Sequence, residues 1–375
     1  MRIPLSAPEI TEPDIEAVTR VLRGTALSLG PQLEEFECRV KEYVGASYAM
    51  AVNSGTSGLH LAMRALGIGE GDEVIVPSFA FIAAANVICY ERAVPVFAEI
   101  ETETLTLDPQ EIEAALNPRT RAILLVHTFG YPADVSAILA IARRHHLFVI
   151  EDACEALGAE IDGRKVGPLC DVGVFAFYPN KQLTTGEGGM VVTHNKEIAA
   201  AVRSLRNQGR RDPDEWLQHA EIGYSYRLSD IHCALGAEQL KRFDAILRRR
   251  EAVAESYHRK LSGHPGLILP PLSLPRRKIS WFVYVVRLAD CFSRRDRDWI
   301  LQEMLKREIG CGRYFAPIHL QPAYRSAAFR KSDLSLTERI AERTLALPFF
   351  NQIEDRQIDE VSMTLAALLD KLRSR

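Results

Sequence analysis

The chain has 375 residues, of which 47% are hydrophobic and 25% charged, with a formal net charge of -3. That is ordinary globular composition, long enough for a large core and two or three structural units. The charge excludes a dedicated nucleic-acid binder, which would carry a strong basic excess, and no apolar run approaches a membrane span. The opening MRIPLSAPEI lacks the apolar segment of a signal peptide. Seven cysteines, Cys38, Cys89, Cys154, Cys170, Cys233, Cys291 and Cys311, form no Cys-x-x-Cys pair. They read as reduced thiols of a cytoplasmic protein, with neither a disulfide framework nor a metal site.

From about residue 50 to 195, short apolar runs alternate with helical patterns. Expected strands are Glu73 to Pro77, Pro95 to Ala98, Ala122 to His127, Leu147 to Glu151, Val172 to Phe177 and Met190 to Thr193. Expected helices include Pro109 to Leu116 and Val135 to His145. This alternation predicts an α/β fold with a mainly parallel sheet covered on both faces. Ser229 is positioned to cap one long helix from Asp230 to Leu261, whose basic run ending at Arg250 reads as a solvated face. A Pro-rich connection, His264 to Pro275, precedes a strand at Trp281 to Leu288 and helices at Arg295 to Glu308 and Asp355 to Leu372. The expected division is a large domain over 1–250 and a smaller α/β domain over 251–375, with the N-terminal segment free to pack on the latter.

Three segments carry chemistry. Lys181 sits in the turn-rich run from Phe177 to Gly189, between two apolar strands. A lone lysine there would be a surface residue, but a fixed, screened lysine can form a Schiff base with a carbonyl. Asn53 to Ala62 places Gly55, Thr56 and Ser57 ahead of an apolar helix, which suits a phosphate, although a plain N-cap would use the same residues. Leu147 to Asp152 is an apolar strand ending in two carboxylates, each expensive to bury without a partner such as a protonated ring nitrogen. Phe81, just past another strand, offers a flat aromatic face. An amine, a carboxylate, an aromatic platform and a phosphate cradle on one α/β scaffold are the parts that hold pyridoxal phosphate (PLP). In open α/β sheets such sites lie at the carboxyl ends of the strands.

In these segments, and in Leu29 to Pro31, Glu151 to Ala159, Gly223 to Leu228 and Tyr314 to His319, the chain resembles the DegT/DnrJ/StrS-type sugar aminotransferases of the fold-type I PLP enzymes. The resemblance implies a seven-stranded-type sheet and a catalytic Lys181 that carries the cofactor and moves the proton. Asp152 would pair with the pyridine nitrogen, Phe81 would stack on the ring, and Gly55, Thr56 and Ser57 would hold the phosphate. Glu155 falls where the family has a polar residue near the phenolic oxygen, often Gln or His. The resemblance further implies a homodimer with shared sites, in which Ser225 and Arg227 act across the interface. Its substrates would be a nucleotide-linked keto sugar and glutamate, with Tyr314 and His319 in reach of the sugar.

Three positions depart from the family pattern. Ser225 replaces an Asn that reaches the partner's phosphate, Ala176 replaces a Ser that binds phosphate, and Tyr178 replaces a His. One phosphate contact is therefore lost, or passes to Tyr178 or water. Arg203, Arg206, Arg210 and Arg211 form a basic cluster that would suit a diphosphate or a solvated helix face. Three alternatives stand beside the transaminase reading. They are another PLP reaction on the same scaffold, a non-catalytic PLP-fold regulator, and a dinucleotide dehydrogenase, which the lack of a GxGxxG run disfavours.

Overall fold

The computed structural model describes residues 2–211 and 217–374. Its main sheet runs in the order Tyr48–Val52, Gly189–Thr193, Val172–Ala176, Phe148–Asp152, Thr120–Val126, Glu73–Pro77, Val94–Ala98 and Arg330–Lys331. The strands from Val172–Ala176 through Val94–Ala98 to Arg330–Lys331 pair parallel. Gly189–Thr193 is antiparallel to both its neighbours. The sheet therefore has eight strands rather than the expected seven. Tyr48–Val52 and the two-residue Arg330–Lys331 edge are the strands that sequence reading missed.

Successive strand residues feed opposite apolar layers, as a two-residue period requires. Val74, Val76, Leu124, Val126 and Ile150 pack with Leu59, Leu61 and Val87 on one face. Ile75, Ile123, Leu125 and Val149 pack with Ile112, Val135 and Ile138 on the other. Helices Gly55–Ala65 and Ala83–Tyr90 belong to the first layer, and Pro109–Ala115 and Val135–His145 to the second. The expected helices within residues 109–145 thus form essentially as read.

The expected single helix from Asp230 to Leu261 is two helices, Asp230–Leu240 and Phe243–Leu261. At the break, the Arg242 guanidinium donates to both Asp14 oxygens at 2.8 and 2.7 Å. Ser229 occupies the N-cap position, but its hydroxyl lies 2.6 Å from His232 Nδ1 and accepts no backbone N–H. Arg250, expected on a solvated face, is buried, and it donates to the carbonyls of Trp281 and Phe282 at 2.6 and 2.7 Å.

The C-terminal part adds an antiparallel sheet of Leu267–Ile268, Tyr284–Leu288 and Thr344–Leu347. Helices Arg294–Lys306 and Asp355–Arg373 cover it, and its core takes in Ile3 from the N-terminus and Tyr257 from the preceding helix. No helix among the described residues is long and apolar enough to cross a membrane, and none of their His, Cys, Asp and Glu clusters would hold a metal.

Candidate active site

The carboxyl ends of the parallel strands open onto a cavity of about 410 Å³, within the usual size range of cofactor sites. Gly55, Thr56, Phe81, Asp152, Glu155, Tyr178, Lys181 and Tyr314 all line it. Eight of the twelve residues singled out from sequence therefore meet in one place.

Lys181 is held there by the loop that follows Val172–Ala176. Its backbone N–H closes a turn onto the Tyr178 carbonyl at 2.9 Å. The Phe177 carbonyl accepts from the Thr185 N–H at 2.9 Å and from the Thr184 hydroxyl at 3.0 Å. Gln182 Nε2 donates to the carbonyls of Glu155 and Ser280 at 2.7 and 3.0 Å. The polar run thus spends its side chains on its own backbone and its neighbours. Gly186, with φ of 82°, occupies the left-handed region that glycine tolerates best. A Cβ on Gly189 would lie 2.6 Å from the Ser54 carbonyl oxygen, so this glycine lets the Lys181 loop close on the phosphate-cradle segment.

The Lys181 side chain is only 13% exposed, with Nζ 3.5 Å from Glu155 Oε1 and 4.0 Å from the Phe282 ring centroid. Phe282 was not anticipated, because nothing in its local sequence separates a cavity wall from core packing. Asn180, Phe315 and Cys154 were also missed as cavity residues, although each is adjacent in sequence, or nearly so, to a residue that was named.

Asp152 ends its strand inside the cavity and accepts the Cys154 N–H at 3.1 Å. Burial pushes its carboxyl up, against the pull of that bond and of Lys181. Burial likewise raises Glu155, with Lys181 the largest opposing influence, and Glu155 Oε2 accepts the Phe129 N–H at 2.8 Å. The neighbouring Glu151 faces away. Its two oxygens accept the N–H groups of Gly167, Leu169 and Cys170 at 2.7–2.9 Å, and His127 Nε2 lies 3.0 Å from Oε2.

The helix Gly55–Ala65 begins at the cavity wall. Ser54 Oγ accepts the Ser57 N–H at 3.0 Å, and the Ser54 carbonyl accepts that of Gly58 at 3.1 Å. The first amides of a helix have no carbonyl behind them, and Gly55 and Thr56 face the cavity at the positive end of the helix dipole. Ser57 does not join them, because its hydroxyl lies 2.6 Å from Asn53 Oδ1 and 2.8 Å from Ser54 Oγ. Phe81 and Tyr178 are 61% and 52% exposed, and they form part of the cavity rim rather than its floor.

Three further expected residues lie away from the cavity. Ser225 is exposed, and its segment bridges to Asn207. Arg227 is half-buried and donates to Asn207 Oδ1 at 3.1 Å. His319 is a clip inside the protein, not a cavity residue. Ser78 Oγ lies 2.7 Å from its Nδ1, its Nε2 is 3.0 Å from Glu338 Oε1, and its own N–H donates to Ser78 Oγ at 3.2 Å. The basic cluster is likewise dispersed. Arg206 is buried against Glu37 and the Ala51 carbonyl, Arg203 lies over Tyr48, and Arg211 is 3.7 Å from Glu221.

These residues fit PLP. The unpaired helix amides would suit its phosphate, the buried Asp152 carboxyl its ring nitrogen, and the screened Lys181 amine its aldehyde. The cavity also holds Asn180 Oδ1, a buried acceptor that no donor among the described residues satisfies.

Comparison with known proteins agrees with this chemistry. The chain is 39% identical to GDP-perosamine synthase of Caulobacter vibrioides, over 98% of each chain. It is 38% identical to the spore coat polysaccharide biosynthesis protein SpsC of Bacillus subtilis, over 96% of this chain and 95% of that one. The PLP form of Spr1654 from Streptococcus pneumoniae superposes with a TM-score of 0.94 at 26% identity, over 99% of both chains. The cofactor of the protein is pyridoxal phosphate, and the fold is that of the fold-type I aminotransferases. Residues 8–366 match the model of the DegT/DnrJ/EryC1/StrS aminotransferase family, and the chain belongs to that family.

Proposed function

We propose that the protein transfers an amino group from glutamate to a nucleotide-linked keto sugar, in amino-deoxysugar or cell-surface polysaccharide biosynthesis in the cytoplasm. The observation that carries this reading is the Lys181 amine, screened and set between a carboxyl and an aromatic ring in the cofactor cavity. The two relatives named above support the sugar substrate.

Bound PLP supplies an electron sink for the carbon that gains or loses the amine. The chain's own groups do the rest. The Gly55 and Thr56 amides, with the Thr56 hydroxyl, take the phosphate. Asp152 pairs with the ring nitrogen, which keeps the ring electron-withdrawing. Phe81 and Tyr178 shield the ring from the rim, and Tyr314 approaches from the C-terminal segment. Lys181 Nζ takes a proton from the substrate carbon and returns it on the other side of the transfer.

Lys181 is the one cation among the described lining residues, whereas both proposed substrates are anions. A second copy of the chain, bringing Ser225 and Arg227 to the mouth of the cavity, would supply the missing positive charge. The active unit in this reading is a homodimer. Within each chain, residues 1–250 hold the cofactor and 251–375 contribute the Tyr314 wall.

Replacing Lys181 with Ala should abolish turnover and leave the fold intact, as read by circular dichroism and product analysis. Retained turnover overturns the assignment. Adding glutamate to the yellow holoprotein should bleach its visible band, and a band that ignores glutamate points to another donor.

A further inference from the structure

The cavity holds two buried carboxyls, Asp152 and Glu155, but one lysine. Glu155 is the better placed of the two to serve that lysine. Its Oε1 lies 3.5 Å from Lys181 Nζ, and its Oε2 is fixed by the Phe129 N–H at 2.8 Å. Phe129 has φ of 58°, in the left-handed region that non-glycine residues rarely adopt. Here it directs a backbone donor at the carboxyl. The Glu155 carbonyl is held in turn by Gln182, the residue after Lys181. Carboxyl and amine are thus tied to one another through the backbone of both segments.

We propose that Glu155 is the counter-ion of the Lys181 nitrogen, both when the amine is free and when it is joined to the cofactor. The groups that face Glu155 are Lys181 from the loop, Asp152 and Cys154 from its own strand end, and Tyr314 from the C-terminal segment. Among these Lys181 alone is a cation. The inference rests on the proposed pairing of Asp152 with the ring nitrogen. With that pairing made, each acid has its own cation. Without the cofactor both share Lys181, and burial favours a proton on one of them.

The test is the visible absorbance of the purified holoprotein across pH. A carboxylate at this distance favours the protonated nitrogen, so the protonated yellow form persists to higher pH in the wild type than without the charge. Glu155→Gln keeps the size and an acceptor for Phe129 but removes the charge. It should lower the midpoint of the spectral transition by roughly one to three pH units. Glu155→Asp keeps the charge at a longer reach, and its midpoint should fall in between. A wild-type midpoint in Glu155→Gln overturns the proposal. If that variant takes up no PLP, a wild-type midpoint in Glu155→Asp does the same. Asp152→Asn separates the two readings, because it should weaken PLP retention. Undiminished retention there sinks the role given to Asp152, and a midpoint that still falls in Glu155→Gln keeps the counter-ion.

Discussion

Glu151 and Asp152 are consecutive residues at the end of one strand, and they belong to two different regions of the molecule. Glu151 points into a closed polar cluster, where three backbone N–H groups and His127 surround it. His127 Nδ1 accepts the Ala133 N–H at 3.0 Å, so its Nε2 carries the hydrogen given to Glu151. Asp152 points into the cofactor cavity with one backbone N–H from Cys154. The same residue chemistry is spent on the fold on one side of the strand and held ready for a ligand on the other. A buried acid with every oxygen satisfied is structural, whereas one with capacity left is waiting for a partner.

Four substitutions test that contrast. The largest effect on stability is expected from Glu151→Ala, which orphans four buried donors and should cost about 3 kcal/mol or more, read by denaturant unfolding. Gly55→Ala tests the open side. Its Cβ would meet Ala176 Cβ and Cys154 Sγ at 2.8 Å each, so overpacking of about 1–3 kcal/mol is expected, together with weaker PLP retention.

Asp152→Asn should act in the opposite direction in the cofactor-free protein. The folded carboxyl is raised above its ordinary value of 3.8, so the folded state holds the proton more tightly than the unfolded one. Its stabilising influence is complete below pH 3.8 and is lost as pH rises through the raised value. Asn removes that loss and should raise the melting temperature at pH 7. The gain should vanish in acid. A destabilised Asp152→Asn at neutral pH would erase the distinction between the two sides. The smallest effect is expected from Ser78→Ala, which opens the His319 clip for about 1 kcal/mol and should leave the holoprotein spectrum unchanged.

Much of this was readable from sequence where local pattern and tertiary outcome agree. Six sheet strands announce themselves as apolar runs between turn residues, and the Lys181 loop follows from its threonines and glycines. Tyr48–Val52 escapes because three of its five residues, Ala49, Met50 and Ala51, carry little strand preference. The two-residue strand Arg330–Lys331 is set by its neighbour Val94–Ala98, not by its own composition. No Gly or Pro marks the helix break at Arg242. The partner of Arg242 at the break is a carboxylate 228 residues away in the chain. In the site, the pattern identified groups but not directions. It could not tell that Ser57 and His319 would be consumed by neighbours, or that Phe282 would come from the far end of the chain to flank Lys181.

The N-terminal segment carries a consequence for how the chain is made. Ile3 exchanges backbone hydrogen bonds with Glu308 and Gly310, Leu5 accepts from Phe349, and Glu9 accepts from Asn351. Residues 3–9 therefore find these partners only after residues 308–351 have been synthesised. Until then Ile3, fully buried in the finished protein, stays exposed with the unfinished C-terminal core. Contacts of such long sequence separation leave apolar surface uncovered while folding is incomplete.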